Sequence, residues 1–438
     1  MKVKSLIAFA ACPVLGLVAD MADPQVSNVK VAQDSVTRRV TVTYDIDEPA
    51  IITMDVLTNG VSIGDANIHY VSGDCNKLVQ AGEGHTLYWN PEKAWPGQKF
   101  TSPVVTVKLT AWATNAPPDY MVVDLAASSS VSFYTSEAAL PGGLLKNEAY
   151  RRTKLVMRKI HQPASGKWIM GVSAEPGKYQ FGVHDDAHEV MLTRDYYIGV
   201  FPVTQDQWRS VIGSYANDFR FQEPNTRGMR PAEIRFNFLR RTDLSWKGGE
   251  DYEWPNDPYP TSFIGLIRTR TGVSFDLPGE MEWEYACRAG HGQGYWGDGS
   301  PIVNDTSDSN LDRLARYGLP KVGNEDAKTA DLSKGTAQVG SKEPNDWGIY
   351  DMNGNVWEWC LDWFEIDIRS LNGVININPN NPMQTYSGST PPEIKRVIRG
   401  GMYTESAKNC RPSWRVNAAS GDTDRSIGFR LWAPAEIK

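Results

Sequence analysis

The chain has 438 residues, with 45 Lys and Arg against 52 Asp and Glu and a formal net charge of -7. A chain of this length has room for two or three domains, each with its own core. Apolar residues make up 41% and charged residues 22%, a composition typical of a globular protein and too apolar for a disordered one. Since no Lys/Arg-rich run is present to neutralise phosphates, we do not expect nucleic-acid binding.

The N-terminus has the pattern of a secretory signal. Lys2 and Lys4 precede an apolar run from Leu6 to Ala19. A basic start followed by a short apolar run is typical of a signal peptide, and the run is short for a membrane span. We therefore expect residues 1–22 to be a signal peptide and the mature protein to be secreted or periplasmic, with no integral membrane segment. A buried cytosolic segment and a lipid anchor at Cys12 are the alternatives.

The cysteines exclude some functions. Cys12 would leave with the signal, and the other four have no CxxC spacing, which excludes a zinc ribbon or a thioredoxin motif. In an exported protein one or two disulfides are possible, but the sequence does not choose among the pairings. These four residues are Cys75, Cys287, Cys360 and Cys410.

Short alternating runs dominate the chain after the signal. Arg39–Tyr44, Ile51–Val56 and Val104–Leu109 are rich in β-branched residues and alternate in polarity. They predict an antiparallel β-sandwich of the immunoglobulin or fibronectin kind over residues 23–126, with the role of a spacer or adhesion module. Residues 127–151, rich in Ser, Ala, Gly and Leu, are interpreted as a linker.

From residue 152 onward the amino-acid composition changes. Twelve of the 15 Trp lie at or after Trp168, which predicts a densely packed, loop-rich domain over 152–438. One helix is predicted to start around Pro278 in its first turn, and another after Thr204 as N-cap. His184 and His188 are four residues apart, as metal ligands on a helix would be, but a strand-like run follows them. A structural role is therefore favoured for His188.

Six motifs follow one another along this second region, and they are Gly166–Gly171, Tyr197–Thr204, Leu277–Tyr285, Trp347–Trp359, Arg399–Tyr403 and Ile427–Arg430. Together they resemble a formylglycine-generating enzyme (sulfatase-modifying factor) domain. The resemblance implies an irregular α+β fold related to C-type lectins, with bound calcium. The expected fold class is thus mixed, an N-terminal antiparallel β-sandwich plus this C-terminal domain.

The resemblance also implies two sets of calcium ligands. Calcium takes six to eight oxygens from carboxylates, amide side chains and backbone carbonyls. One implied set is Asp351, the carbonyls of Gly354 and Val356, and Glu358. The other is Asn310, the Leu311 carbonyl, Asp331 and the Ser333 carbonyl. The alternative is that Asp351 and Glu358 cap turns and form ion pairs.

The copper site that the family implies is incomplete in this sequence. Copper-dependent members hold Cu(I) with two thiolates five residues apart, a soft metal on soft sulfur. The first thiol position falls on Glu405 and the second on Cys410, and Met402 replaces the usual Ser. Copper is therefore not expected. Cys410 is interpreted as a buried structural residue or a disulfide partner of Cys287 or Cys360, with a catalytic thiol as the alternative.

Two hypotheses for function remain. The first is an exported, calcium-stabilised binding or accessory module for a protein or glycan ligand, with residues 362–393 and 404–424 as recognition loops. The alternative is an active formylglycine-generating-type oxidase that acts on a cysteine of sulfatases, with Cys410 as its catalytic thiol. Glu405 favours the first hypothesis.

Overall fold

The computed structural model describes residues 23–94, 96–97, 104–126, 128–172, 185–219, 221, 227–240, 257–319, 334–364, 376–377, 395–422 and 426–437. The expected signal peptide lies outside these residues. Among the described helices, none has the length and apolar character needed to cross a membrane.

Two antiparallel sheets form the N-terminal region. One has the strand order β1-β2-β7-β5, and in the other β3 pairs with β4, β6 and β8. These strands are β1 (Val26–Gln33), β2 (Val40–Ile46), β3 (Ala50–Thr58), β4 (Val61–Ser62), β5 (Val71–Gly73), β6 (Leu78–Val79), β7 (Gly82–Trp89) and β8 (Val105–Ala113), with a short helix α1 (Pro91–Ala94) between β7 and β8.

Alternation in the sequence sets the inner faces of these sheets. In β2 every second residue is buried, including Val42 and Tyr44. They share a core with Ile52 and Val56 of β3, so the two sheets pack face to face. The three runs that predicted strands are β2, β3 and β8, and the region is consistent with the expected β-sandwich.

The C-terminal region contains three further sheets and four helices among the described residues. The sheet orders are β10-β9-β11-β14-β20, β12-β13-β16 and β18-β17-β15-β19. The strands are β9 (Tyr120–Asp124), β10 (Val131–Tyr134), β11 (Lys154–Ile160), β12 (Lys167–Met170), β13 (His188–Met191), β14 (Tyr196–Gly199), β15 (Trp357–Trp363), β16 (Asn376–Ile377), β17 (Lys395–Arg399), β18 (Arg415–Ala419), β19 (Ile427–Gly428) and β20 (Trp432–Pro434), and the helices are α2 (Gln205–Ile212), α3 (Phe236–Arg240), α4 (Phe263–Thr271) and α5 (Glu280–Arg288). The fold is therefore mixed and mainly β, as expected.

The segment interpreted as a linker contains strand β10, which pairs with β9 in the sheet that also holds β11 and β14. The Ser/Ala/Gly-rich composition does not indicate this strand, because the strand is formed by its pairing with the rest of that sheet. The segment also joins the two regions. Phe133 N–H donates to the Asn76 carbonyl at 2.8 Å, and the Ser136 hydroxyl donates to Asp65 at 2.5 Å.

Of the two predicted helix starts, the one at Thr204 agrees with the structure and the one around Pro278 differs from it. Thr204 is confirmed as the N-cap of α2, where its hydroxyl accepts from Gln207 N–H and the Gln207 side chain accepts from Thr204 N–H at 2.8 Å. The other helix, α5, begins at Glu280 rather than in the turn at Pro278. Gly279 is its N-cap, and the Gly279 N–H donates to Glu282 at 2.6 Å.

His188 opens strand β13 and is buried, as its predicted structural role requires. Its Nδ1 lies 2.9 Å from the Asp186 carbonyl oxygen. His184, the other member of the pair, lies outside the described residues.

Candidate functional site

The segment after β17 passes directly over Cys410. Gly400 and Gly401 have φ angles of 95° and 81°, a region that favours glycine. A Cβ on Gly401 would lie 2.7 Å from Cys410 Sγ and 2.9 Å from the Asn409 carbonyl oxygen. The double glycine is therefore required both by its backbone conformation and by the thiol packed beneath it.

Cys410 is fully buried in an apolar cluster with Trp296, Leu311 and Ala407. Burial raises the pKa of its thiol well above the ordinary value, and the nearby Glu405 carboxylate acts in the same direction. Because the thiolate is the reactive form, Cys410 is a poor nucleophile in this arrangement.

The disulfide alternatives do not occur in the described chain, where Cys75, Cys287, Cys360 and Cys410 are all free and buried. One side chain does link two of them. Asn353 Nδ2 donates to the Cys410 carbonyl at 2.7 Å and lies 3.5 Å from Cys287 Sγ. The structure thus shows buried thiols rather than a cross-link.

Glu405, at the first thiol position implied by the family, has a local partner. Its Oε2 accepts a hydrogen bond from Asn409 Nδ2 at 2.6 Å. A hard carboxylate held by an amide is unsuited to Cu(I), which prefers soft sulfur ligands. The residues present do not fit a two-thiolate copper site.

The first predicted calcium set fits only in part. Asp351 is buried, accepts from Gly340 N–H at 2.7 Å, and has its pKa raised by burial to about 6. Glu358, however, receives Arg430 on both carboxylate oxygens at 2.6 Å and Trp283 Nε1 on Oε2 at 2.7 Å. A calcium ion at Glu358 would have to share this carboxylate with a buried guanidinium, so Glu358 as placed does not fit a calcium ligand.

The other two members of this set are backbone groups in the tight turn between Asp351 and Glu358. Gly354 has a φ of 86°, and its carbonyl accepts from Val356 N–H at 3.0 Å. The Gly354 carbonyl, one of the two predicted carbonyl ligands, therefore already accepts a hydrogen bond from within the turn.

The second predicted calcium set is described only in part. Asn310 turns its amide nitrogen to the Pro301 carbonyl at 2.8 Å, and Leu311 is buried. Asp331 and Ser333 lie outside the described residues. Calcium therefore stays a prediction at both sites.

A buried network of charged side chains, which the sequence reasoning missed, lies close to Cys410. Glu284 is fully buried, with Arg288 and Gly171 N–H on Oε1, each at 2.8 Å, and Arg399 on Oε2 at 2.6 Å. Although burial acts to raise it, Arg288 and Arg399 hold the pKa of Glu284 below its usual range. Glu284 therefore stays ionised and links α5 to β17.

The network continues from Glu280, one turn earlier on α5. Arg415 donates two hydrogen bonds to Glu280, at 2.9 and 2.7 Å, and Arg399 Nε lies 3.5 Å from Glu280 Oε2. Asp362 accepts from Glu280 N–H at 2.6 Å, and burial followed by the Glu280 charge raises the pKa of Asp362 to about 6.

The signal for this network is present in the sequence. Glu280, Glu284 and Arg288 are each four residues apart, which places them on one face of a helix. Taken alone, carboxylates this early in a helix are also explained by the positive end of the helix dipole. The arginine partners come from β17 and β18, more than a hundred residues away, and periodicity cannot identify them.

Comparison with known proteins places this site in a family. The model for the sulfatase-modifying factor enzyme 1-like domain matches residues 160–434. The chain is 29% identical to a formylglycine-generating enzyme from Bos taurus over 352 residues, covering 70% of this chain and 81% of that protein. It is 25% identical to the chaperone protein LppX from Paenibacillus barcinonensis over 263 residues, covering 56% of this chain and 81% of that one. Among solved structures, Treponema denticola variable protein 1 is similar with a TM-score of 0.44 and 24% identity, covering 64% of this chain and 96% of that one.

Proposed function

The chain belongs to the sulfatase-modifying factor enzyme 1-like family, and from this premise we propose that it is an exported binding or accessory module for a protein or glycan ligand. In this proposal it does not carry out copper-dependent formylglycine generation. The observation that carries the proposal is Glu405, which stands where the copper-dependent members have their first thiol and is held by Asn409.

The chemistry of copper supports this proposal. Linear Cu(I) coordination needs two soft thiolates, and Cys410 is one buried thiol whose pKa burial raises. The position at which the copper-dependent members have their first thiol holds the Glu405 carboxylate instead of a sulfur ligand.

The backbone hydrogen bonds that order residues 404–411 support a binding role. Residues 404–411 are bonded to residues 304–319 along the backbone, with Lys408 N–H donating to the Asp305 carbonyl and Gly318 N–H to the Glu405 carbonyl, each at 2.7 Å. A surface that is already ordered loses little conformational entropy on binding. Most of the other predicted recognition loop, 362–393, lies outside the described residues.

The alternative is an active oxidase acting on a cysteine of sulfatases. It is favoured by Cys410, which still occupies the second thiol position, and by the name of the Bos taurus relative. The name of the LppX relative, a chaperone protein, agrees better with an accessory role. The two functions differ in whether a cysteine substrate is consumed.

Incubation of the copper-loaded protein and oxygen with a peptide carrying Cys-x-Pro-x-Arg tests the proposal. We expect mass spectrometry to find no aldehyde with the natural sequence. Glu405→Cys is the informative companion, since Cu(I) binding gained there would show that the rest of the site is in place. Aldehyde formation by the natural sequence that is lost in Cys410→Ser would establish the oxidase instead.

The exported location has its own test. Lys2, Lys4 and the apolar run that follows motivate it. Expression of the full chain in a bacterial host, followed by sequencing of the mature N-terminus, should show that the first residues have been removed. An intact Met1 on cytoplasmic protein would contradict export.

A further inference from the structure

We propose that the N-terminal β-sandwich binds one extended strand of a partner protein between its strands β1 and β8, and that apolar and acidic residues alternate along this partner strand. The gap between β1 and β8, bordered by Val31 and Val105, is called the open side of the sandwich. This surface is separate from the recognition loops 362–393 and 404–424, so the inference does not rest on the binding function proposed above.

The described part of the sandwich lacks the last strand of an immunoglobulin-type fold. In that fold one sheet contains strands A, B, E and D, and the other contains C, F and G, with G beside F. The order β1-β2-β7-β5 corresponds to the first sheet, and β3 paired with β8 corresponds to C and F. After β8 the chain continues to β9, which pairs with β10 and β11 in the C-terminal region. No strand of the described chain therefore lies in the position of G.

The two strands that border the open side are both edge strands. Among the described strands, β1 pairs with β2 alone and β8 with β3 alone, and β1 and β8 approach each other. Trp112, near the end of β8, packs on the core of the C-terminal region, whereas Val105, Thr106 and Lys108 are exposed. An unpaired edge presents a row of N–H and C=O groups that can pair with another chain. The first half of β8 is therefore available for strand addition.

The open side is lined by valines that have large exposed surfaces although they point between the sheets. Val31 lies opposite the buried Val42 in the register of β1 and β2, yet 52% of its surface is exposed. Val105 lies on the same face of β8 as Val107, which packs on the sandwich core, and 41% of Val105 is exposed. In a closed sandwich the facing sheet covers such residues. Apolar side chains of an added strand would cover them here.

Two lysines favour an acidic partner strand over a second copy of this chain. Lys30 of β1 and Lys108 of β8 are exposed, and neither forms an ion pair within the described part of the chain. Asp55 lies opposite Lys108 in the register of β3 and β8, but its carboxylate accepts from the Ser62 hydroxyl at 2.8 Å. Two copies joined edge to edge would bring like charges together, which is how edge lysines prevent association. Asp or Glu on an added strand would instead form favourable cross-strand pairs.

A synthetic peptide tests the proposal in the full-length protein. The probe is fluorescein-labelled Thr-Val-Glu-Val-Glu-Val-Glu-Val-Thr, called the Glu peptide. One control peptide has Lys in place of each Glu, and the other keeps the Glu residues but has Pro in place of the two central Val, which prevents strand pairing. We expect fluorescence anisotropy to show that the Glu peptide binds about tenfold more tightly than either control. No measurable binding of the Glu peptide, or equal binding of all three peptides, would overturn the proposal.

Hydrogen exchange followed by mass spectrometry locates the bound peptide. We expect the Glu peptide to slow amide exchange in Val105–Leu109 and in β1, because its backbone covers the open side. Exchange in residues 404–411 should be unchanged. Slower exchange at residues 404–411 alone would assign the peptide to the surface of the proposed function and would refute binding at the open side.

Substitution of the exposed valines tests the apolar lining. The double variant Val31→Ser with Val105→Ser changes positions that are already largely exposed, and we expect it to weaken binding of the Glu peptide by about tenfold. The matched control is Val36→Ser, a valine that is 86% exposed in the turn after β1, and it should leave binding unchanged. If the double variant binds as tightly as the control, the open side is not the binding surface.

Lys108→Glu tests the charge preference at a position where the fold tolerates change. We expect it to weaken the Glu peptide and to strengthen the Lys peptide, each by about fivefold, whereas Lys146→Glu, at an exposed lysine outside the sandwich, should change neither. An unchanged preference in Lys108→Glu would contradict the acidic partner. Light scattering of the natural protein examines the other occupant. A dimer that the double valine variant abolishes would show that a second copy fills the open side, and the assignment of an acidic partner would be wrong.

Discussion

Glu358 shows how a single residue can look like a metal ligand in sequence and form an ion pair in the structure. Its carboxylate contacts Arg430 and Trp283, and all three side chains are buried. The family resemblance of the motif around Gly354 implies that Glu358 is a calcium ligand. In the structure its carboxylate instead pairs with the Arg430 guanidinium. The two roles make different predictions for stability.

We expect Glu358→Gln to lower the free energy of unfolding by about 3 kcal/mol, because it leaves the Arg430 guanidinium buried without its counter-charge. Urea unfolding with and without a calcium chelator measures it. If the ion pair is the main role, the loss should be the same in both conditions. The control Glu189→Gln breaks an exposed pair with Lys167 and should cost less than about 1 kcal/mol. A destabilisation that disappears on chelation would restore Glu358 as a calcium ligand.

Asp185 is a second residue whose surroundings determine its behaviour. It is buried, and its Oδ1 has no hydrogen-bond partner among the described residues. Burial raises its pKa to about 6 against an ordinary value of 3.8, with Glu284 adding to the effect and Arg411 opposing it. Since the folded state binds the proton more tightly, the stabilisation is present below pH 4 and is lost as the pH rises through 6.

Asp185→Asn should therefore raise the free energy of unfolding at pH 7.5 relative to the natural protein, by about 2 kcal/mol, and have little effect below pH 4. Chemical unfolding across this range provides the measurement. Asp186→Asn, at the next and less buried position, is the control. A pH-independent effect of Asp185→Asn would show that its charge is not the cause.

At the scale of secondary structure, α2 and α5 differ in what local sequence can specify. The start of α2 is determined by Thr204 and Gln207, three residues apart, through hydrogen bonds that close within the same turn. The face of α5 is determined by arginines on β17 and β18. A cap is therefore predictable from a short window, and a buried charge network is not.

Thr204→Ala should lower the free energy of unfolding by about 1 to 2 kcal/mol, because it removes the cap on α2 and the hydroxyl bond to the Arg151 carbonyl at 2.8 Å. Urea unfolding measures the loss. Thr204→Ser keeps the hydroxyl and should recover most of it. If the Ser variant is as unstable as the Ala variant, packing of the Thr methyl group matters more than the cap.

At the scale of the whole molecule, the N-terminal sheets and the C-terminal region are bonded to each other. Asp65 accepts from the Thr135 and Ser136 hydroxyls at 3.1 and 2.5 Å, and Ile51 of β3 shares a core cluster with Met121 of β9. A freely hinged spacer would lack such shared contacts. We therefore expect the two regions to unfold together.

Calorimetry should show one unfolding transition for the natural protein, and Asp65→Ala should separate or broaden it by weakening the junction. Asp55→Ala, at an exposed neighbouring hairpin where the partner is Ser62, is the control and should leave one transition. Two well-separated transitions in the natural protein would contradict the coupling.

The sequence by itself determined the features that depend on short-range order. Alternation predicted β2, β3 and β8, Thr204 predicted the start of α2, and the ordered motifs indicated the family of the second region. Tertiary structure decided how the candidate site works. Whether Cys410 is exposed, whether Glu358 pairs with Arg430, and whether Arg399 pairs with Glu284 depend on residues far apart in the chain that come together only in the folded core. Burial removes water from these groups and makes each charge depend on its spatial neighbours, which local sequence does not record.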